Sequence, residues 1–469
     1  MKWLLCLILC SLPVVASASE PTTEDEALAF EIFKTLIETD TTPSNNKTLE
    51  AVTVLADRLR AEGFPAEDVH IIEHGGKGNL VARLRSAAPT ARPVLLMAHI
   101  DVVEADPADW SMDPKRLNED DDFYYGRGTL DDKDEVAIHV ANLIRLHRAR
   151  VSLKRDVIIA ITADEEGGDH NGASYLIENH RDLVDAAFVI NEGGGGLIAD
   201  GNYVANAVQT AEKVYQSYHL EVTNSGGHSS LPRADNAIYE LATALKRIEA
   251  FDFPVMLNET TRAYFSGRVT IEEGEIAAHF EGLLATPPSQ TSLDYFRDAP
   301  AINARLRTTC VATELKAGHA ENALPQRARA TVNCRVFPGV PVEEVRQALL
   351  KVAAIDGMTI TPIREALQSE ASPLTEEIMG PIKSITAAMW PGAEVMPIMS
   401  TGATDALFFR NAGIPVYGVS GIFTDSGDNR AHGRDERILK SSFYEGLEFL
   451  YRLTLGVAAA DTAAGATSL

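Results

Sequence analysis

Positive charge is what this chain has least of: 42 Lys and Arg stand against 67 Asp and Glu over 469 residues, a formal net charge of −25. Nucleic acid and anionic membrane surfaces are bound mainly through Lys and Arg, so neither is expected as a partner, and solubility is the plain consequence of the acidic excess. Cysteine is almost as scarce. Two of the four, Cys6 and Cys10, lie in the first ten residues, so the fold cannot be a disulfide-stapled scaffold and must rest on a buried interior. Long apolar runs are missing as well, since nothing beyond Val15 is long enough to span a bilayer. What the chain does have is 45% hydrophobic residues, more than one core normally absorbs at this length, which predicts two domains.

The exception to the short apolar runs opens the chain. Lys2, the run from Trp3 to Val15 and the small residues Ala16-Ser17-Ala18 have the form of a secretory signal, predicting a secreted or periplasmic chain that begins near Ser19. Lipidation of Cys10 is the alternative, and Leu9 stands where a small residue would be expected. With the signal removed, Cys310 and Cys334 remain, in RLRTTCVATELKA and RARATVNCRV. These read as neighbouring antiparallel strands, whose cysteines can bridge in an oxidising compartment or stay as two free thiols.

Strands that end in metal-binding residue types organise the rest. PVLLMAHID, residues 93–101, reads as one buried strand whose end points His99 and Asp101 the same way, toward the side where open α/β sheets bind ligands. A second apolar strand, 157–162, runs into Asp164-Glu165-Glu166-Gly167-Gly168, and a third, 187–191, ends at Glu192 and four glycines. Between them, a Gly126-Arg127-Gly128 turn leads to a helix opened by Asp131 that carries His139 and His147. Each feature has a plain reading alone: a strand-end His, a dipole-compensating Asp, a solvated acidic turn, ordinary helical histidines, a surface His170.

From residue 213 the pattern changes. A strand YQSYHLEVT, the segment SGGHSS, a helix 237–248 capped by Asn236, the two cysteine strands, a helix 342–354 and a strand 358–363 give a β-α-β-β-α-β order, the ferredoxin-like unit. A polar, partly helical insertion, 252–302, interrupts it and reads as a surface excursion. The first domain resumes with a helix 373–389, a strand 394–399, the turn 400–405, a strand 414–419 and a closing helix 441–453. The expected divisions are a signal 1–18, a catalytic domain 19–212 and 368–456, a second domain 213–367, and a low-complexity disordered tail 457–469.

A two-metal hydrolase needs a bridging carboxylate, terminal ligands for each ion and a base beside the pair. The chain supplies that set without spares: Asp131 can bridge, His99 and Glu192 can hold one ion, Glu166 and His432 the other, and Glu165 is left as the base. Donors of this kind, without thiolates, fit two zinc ions, with cobalt or manganese able to use the same set. Asp101 would then orient His99.

The motifs HIDVVEADPADWSMDP, YGRGTLDDK, DEEGG, NEGG, GGHSS, ENALP with NCRVFPG, STGATDA and AHGRDE, in that order, resemble the M20 family of metallopeptidases, in its carboxypeptidase S and N-acyl-amino-acid amidohydrolase branch. The resemblance implies an α/β fold: a dizinc-peptidase mixed-sheet catalytic domain with an inserted ferredoxin-like α+β lid and dimerisation domain. It implies the same ligand roles and base, with His228 stabilising the oxyanion, commonly across a homodimer. Arg335 and Asn322, with Gly402 nearby, would hold the terminal carboxylate of a peptide or N-acyl amino acid. Asp134 departs from the family, which often has Gly there, and the insertion at 252–302 leaves the oligomeric state open. The expected function is metal-dependent hydrolysis of the amide bond to a C-terminal amino acid. A dizinc aminopeptidase is the alternative, against which Arg335 argues; a non-catalytic periplasmic peptide-binding protein is another, against which the intact Glu165 argues.

Overall fold

The computed structural model describes residues 23–460, so the signal-like segment and most of the low-complexity tail lie outside the described residues. Its centre is a ten-stranded mixed sheet ordered Val69–His74, Lys77–Leu84, Val157–Thr162, Val94–His99, Phe188–Asn191, Val416–Gly418, Asn202–Glu212, Gly196–Ala199 and Phe423–Asp425, with Glu394–Ser400 beside Asn202–Glu212. The neighbours Val157–Thr162, Val94–His99, Phe188–Asn191 and Val416–Gly418 run parallel. Every residue of Val94–His99 and of Val157–Thr162 is buried, as parallel strands covered on both faces require. Helices Glu24–Ile37, Thr48–Ala61, Lys133–Arg148, Glu376–Met389 and Lys440–Ala458 contribute to the core on one face, and Gly172–Asn179 with Ala406–Asn411 to that on the other. Because these strands run together, their carboxyl ends open on one edge.

The four-stranded antiparallel sheet is ordered Thr309–Ala317, Arg327–Val336, Val214–Thr223, Thr359–Pro362, which is the second, third, first and fourth strand of the β-α-β-β-α-β unit. Alternate residues Tyr218, Leu220, Ala330, Val332 and Cys334 pack on Leu241 and Leu349 of helices Ala237–Glu249 and Val342–Ala353. The opposite face carries Tyr215, Asn333 and Arg335 and is left open by the helices. Cys310 and Cys334 are directly paired across the strands and form a disulfide.

Two expectations are corrected. The insertion is a small helical layer rather than a surface excursion: Glu259–Ile271, Gly274–Leu284, Gln290–Tyr295 and Pro300–Leu306 bury Phe265, Phe280, Leu283 and Phe296 against Ala205 and Met396 of the large sheet. It packs on the Glu394–Ser400 strand through Met396 and Ile398. The closing helix runs on to Ala458, with Val457, Ala458 and Ala459 buried, so the described chain is packed beyond residue 457.

The burial of His139 predicts an acid-sensitive fold. It is completely buried in Lys133–Arg148, and burial pushes its imidazole down to about 4. An unfolded histidine titrates near 6.5, so the neutral ring's contribution is intact above that pH and is lost as pH falls toward the folded value. For the metal-free protein, unfolding by urea should show a loss of about 2 kcal/mol between about pH 7 and pH 5 that is absent from His139→Leu. Parallel pH dependence in the two proteins would refute this.

Candidate metal centre

Three strand ends and two turns meet at the open edge. His99 closes its strand with Nε2 3.0 Å from Asp131 Oδ1, while His432 Nε2 lies 3.0 Å from Asp131 Oδ2 and 2.8 Å from Glu166 Oε1. The two oxygens of one aspartate therefore face two different imidazoles. His99, Asp131 and Glu192 form one group of donor atoms lying within 4.8 Å of one another, and Asp131, Glu166 and His432 form a second. Asp131 belongs to both. It does not open the helix: Lys133–Arg148 begins two residues later, with Asp132 at its N-cap, and the Asp131–Asp132 peptide is cis. The carboxylate of Asp131 is thus not committed to a helix dipole, and Asp132 instead accepts the backbone N–H of His99 at 3.1 Å.

Neighbouring groups hold the donors in place, some differently from the sequence reading. His99 Nδ1 donates to the backbone carbonyl of Asp101 at 3.0 Å, which leaves Nε2 as the free donor atom. The Asp101 carboxylate is 3.8 Å from that ring and accepts instead the backbone N–H groups of Glu165 (3.2 Å) and Glu166 (3.1 Å). Its side chain therefore positions the glutamate pair, and its carbonyl orients the histidine. The same loop turns back over Asp164, which pairs with Lys77 at 2.9 Å; a side chain at Gly168 would come within 2.2 Å of the Asp164 carboxylate, so only glycine fits. Buried Arg127 pairs with Glu436 and donates to the Gly433 carbonyl at 3.0 Å, while Glu436 also accepts the N–H of Leu130 at 2.8 Å. One ion pair thus joins the turn carrying Asp131 to the loop carrying His432. Asp405 is buried beside the cluster, held by Thr162 (3.2 Å) and Asn171 (2.6 Å). Arg127, Asp405 and Glu436 lie inside the quoted motifs, but nothing in their spacing reveals a fixing role.

The electrostatics ask for cations. Burial raises Glu192 to about 8, and burial followed by the Glu192 charge raises Glu165 well above the usual carboxylate range. Burial also works to raise Asp131, but the hydrogen bonds from His432 and His99 outweigh it and hold the group well below the ordinary value. The bond to Asp131 raises His432 to about 9. Carboxylates packed this closely repel, and divalent ions between them are the charge that would relieve the repulsion. Nitrogen and oxygen donors without thiolate suit zinc, cobalt or manganese, so the residues fit such ions. Glu165 belongs to neither group of ligands and is left beside both.

The remaining candidates fall into two places. His228 and Asn322 share an exposed corner of the four-stranded domain, where Gly227–His228 pairs with Ala323–Leu324 and Ser229 N–H donates to the Asn322 carbonyl at 3.0 Å. His228 Nδ1 lies 2.7 Å from Ser230 Oγ, and among the described residues no hydrogen bond ties either residue to the metal ligands. Arg335 is half-buried in a cavity of about 800 Å³ with its guanidinium 4.7 Å above the Tyr215 ring. Ala403, next to Gly402, lines the same cavity, and the Gly402 N–H is held by Ser400 Oγ at 3.0 Å.

Comparison with known proteins gives the family and the fold. The family described as Peptidase family M20/M25/M40 matches residues 95–455, from the His99 strand to the closing helix. The N-fatty-acyl-amino acid synthase/hydrolase PM20D1 of Homo sapiens is 29% identical over 388 residues, 79% of this chain and 75% of that protein. The probable carboxypeptidase S-like 2 of Dictyostelium discoideum is 28% identical over 387 residues, 80% and 73% of the two chains. Among solved structures, the M20 family metallo-carboxypeptidase Sso-CP2 from Sulfolobus solfataricus shares the fold, with a TM-score of 0.66 at 18% identity over 92% of this chain and 98% of that one. On the extent of that match the chain belongs to peptidase family M20/M25/M40 and is a metal-dependent hydrolase.

Proposed function

We propose that the protein is a dizinc carboxypeptidase or aminoacylase that cleaves the amide bond joining a peptidyl or acyl group to a C-terminal amino acid. His99, Glu192 and Asp131 would hold one ion, and Glu166, His432 and Asp131 the other. When bound, such a pair polarises the scissile carbonyl and acidifies water. Glu165 takes the proton of the attacking water and passes it to the leaving amine, held at its post by the Asp101 carboxylate through its backbone N–H. His228 donates to the oxyanion from the four-stranded domain, residues 213–367, acting as lid and as the contact of a homodimer. Asn322, which lies beside His228, would reach the substrate with it across that contact, and the Gly402 turn assists Arg335 in holding the terminal carboxylate. The secretory form of residues 1–18 supports action outside the cytoplasm, and among the described residues no helix is long and apolar enough to cross a membrane.

The observation that carries the substrate class is Arg335. In a chain with 25 more acidic than basic residues, it has no carboxylate partner among the described residues, although it is half-buried and faces a cavity. A guanidinium in that position is suited to a carboxylate brought by the substrate, gripped through two parallel hydrogen bonds. With zinc supplied, N-acyl amino acids should be hydrolysed and their C-terminal amides refused, and Arg335→Leu should lose about 10²-fold in kcat/KM, mostly through KM. Substrates that must carry a free N-terminal amine, or amides cleaved as fast as acids, would replace this reading with an aminopeptidase.

A further inference from the structure

The walls of the Arg335 cavity say more than that guanidinium alone. They come from three parts of the chain: Tyr215 on the open face of the four-stranded sheet, Ile363 and Leu367 on the segment returning to the large sheet, and Leu407 and Phe408 on helix Ala406–Asn411. Tyr215, Ile363 and Leu367 are 52%, 40% and 46% exposed, although they stand together in one concave place. Apolar surface left open in a concave site marks a surface that meets a ligand. Of the other charged groups that line the cavity, Glu314, Arg364 and Glu365 are exposed to solvent, and the two at the back are already engaged. Lys213 Nζ donates to the Arg307 carbonyl (2.7 Å) and Thr309 Oγ1 (3.2 Å), and Glu212 pairs with Arg410 (2.9 Å) and accepts the Thr404 N–H (2.9 Å). Thr404 is followed by Asp405, whose carboxylate accepts from Thr162, the residue paired with His99 across the strands, so Glu212 ties this cavity to the segment that borders the metal cluster.

Resting on the reading of Arg335 as the carboxylate anchor, we infer that this cavity is the pocket for the side chain of the C-terminal residue, and that Tyr215, Leu367 and Phe408 select a bulky apolar one, of the leucine or phenylalanine kind. A residue held by its carboxylate at Arg335, with its amide nitrogen toward the Asp405 side, has its side chain left among these walls. A cavity of about 800 Å³ leaves glycine nearly without contacts. An acidic side chain gains nothing from Tyr215, Leu367 and Phe408, and Arg364, the lining cation that could pair with it, is exposed to solvent, where such a pair contributes little.

The test uses the full-length zinc-loaded enzyme and N-acetyl derivatives of Phe, Leu, Gly and Asp, with N-acetyl-phenylalanine amide as control. The Phe and Leu substrates should exceed those of Gly and Asp by about 10- to 100-fold in kcat/KM, and Leu367→Ala and Phe408→Ala should each compress the Phe-to-Gly ratio by about 5- to 10-fold. A ratio measured within one preparation does not depend on how much of a variant folds. Gly or Asp substrates cleaved as well as Phe, with the amide still refused, overturn this inference and leave the carboxypeptidase reading intact. Hydrolysis of the amide at the rate of the acid removes that reading instead. If the variants change the dependence on acyl length, acetyl against lauroyl, rather than the Phe-to-Gly ratio, the cavity houses the acyl group and the inference falls. Calorimetric binding of N-acetyl-Phe and N-acetyl-Gly to the Glu165→Gln protein must show the same ranking, and equal affinities refute it even where turnover is absent.

Discussion

Replacing Glu165 with Gln is expected to leave both metal ions bound and to reduce kcat by about 10²–10⁴-fold, the usual worth of general-base assistance. The expectation follows from where the side chain lies. Glu165 is in neither ligand group, so the substitution removes no metal donor. Its backbone N–H is held by Asp101, and that hydrogen bond survives a change confined to the side chain. The amide is nearly the same size as the carboxylate but cannot accept a proton. Metal content by elemental analysis and kcat on an N-acyl amino acid, measured on the same sample, decide the matter. Full turnover would dismiss Glu165 as the base, whereas loss of metal together with activity would make it a ligand.

The second large effect concerns Asp131. Its two oxygens face His99 and His432 separately, so one side chain serves both groups. Asp131→Ala should therefore lose both ions together and fall to background, a drop beyond about 10³-fold, because the acidified water goes with the metals. His432→Ala should lose one ion and retain the group built on His99 and Glu192. A zinc-induced rise in melting temperature should be present in the wild type and absent from Asp131→Ala, because only a ligand bound by the native state stabilises it. If Asp131→Ala still binds two equivalents of zinc, the shared-carboxylate arrangement is wrong.

How much of this was open to inspection in the sequence depends on how local the governing physics is. A buried parallel strand is a short apolar run, and whatever follows it sits at the sheet's carboxyl edge, so His99, Glu165, Glu166 and Glu192 could be picked out one strand at a time. The β-α-β-β-α-β order was legible for the same reason, since each element carries its own period of apolar residues. Roles that depend on contacts between distant segments were not. The sequence reading gave the Asp101 carboxylate to His99, but the carboxylate faces the Glu165 loop and the carbonyl takes the histidine. Spacing cannot distinguish the two oxygens that a single residue offers. Arg127 and Glu436 are 309 positions apart and become partners only when their loops meet. The insertion looked polar because its few aromatic residues are scattered, and only folding brings Phe265, Phe280 and Phe296 together against Met396.

By itself the sequence determined which residue types lie at the ends of buried strands and that they suffice for a pair of cations, because strand burial and side-chain alternation are properties of a few consecutive residues. The tertiary structure alone decided that one aspartate is shared, which groups hold the glutamate loop, and that Arg335 faces a cavity with no carboxylate paired to it among the described residues. Those are distances between segments from 32 to 309 residues apart, set by sheet order and helix packing rather than by any local pattern.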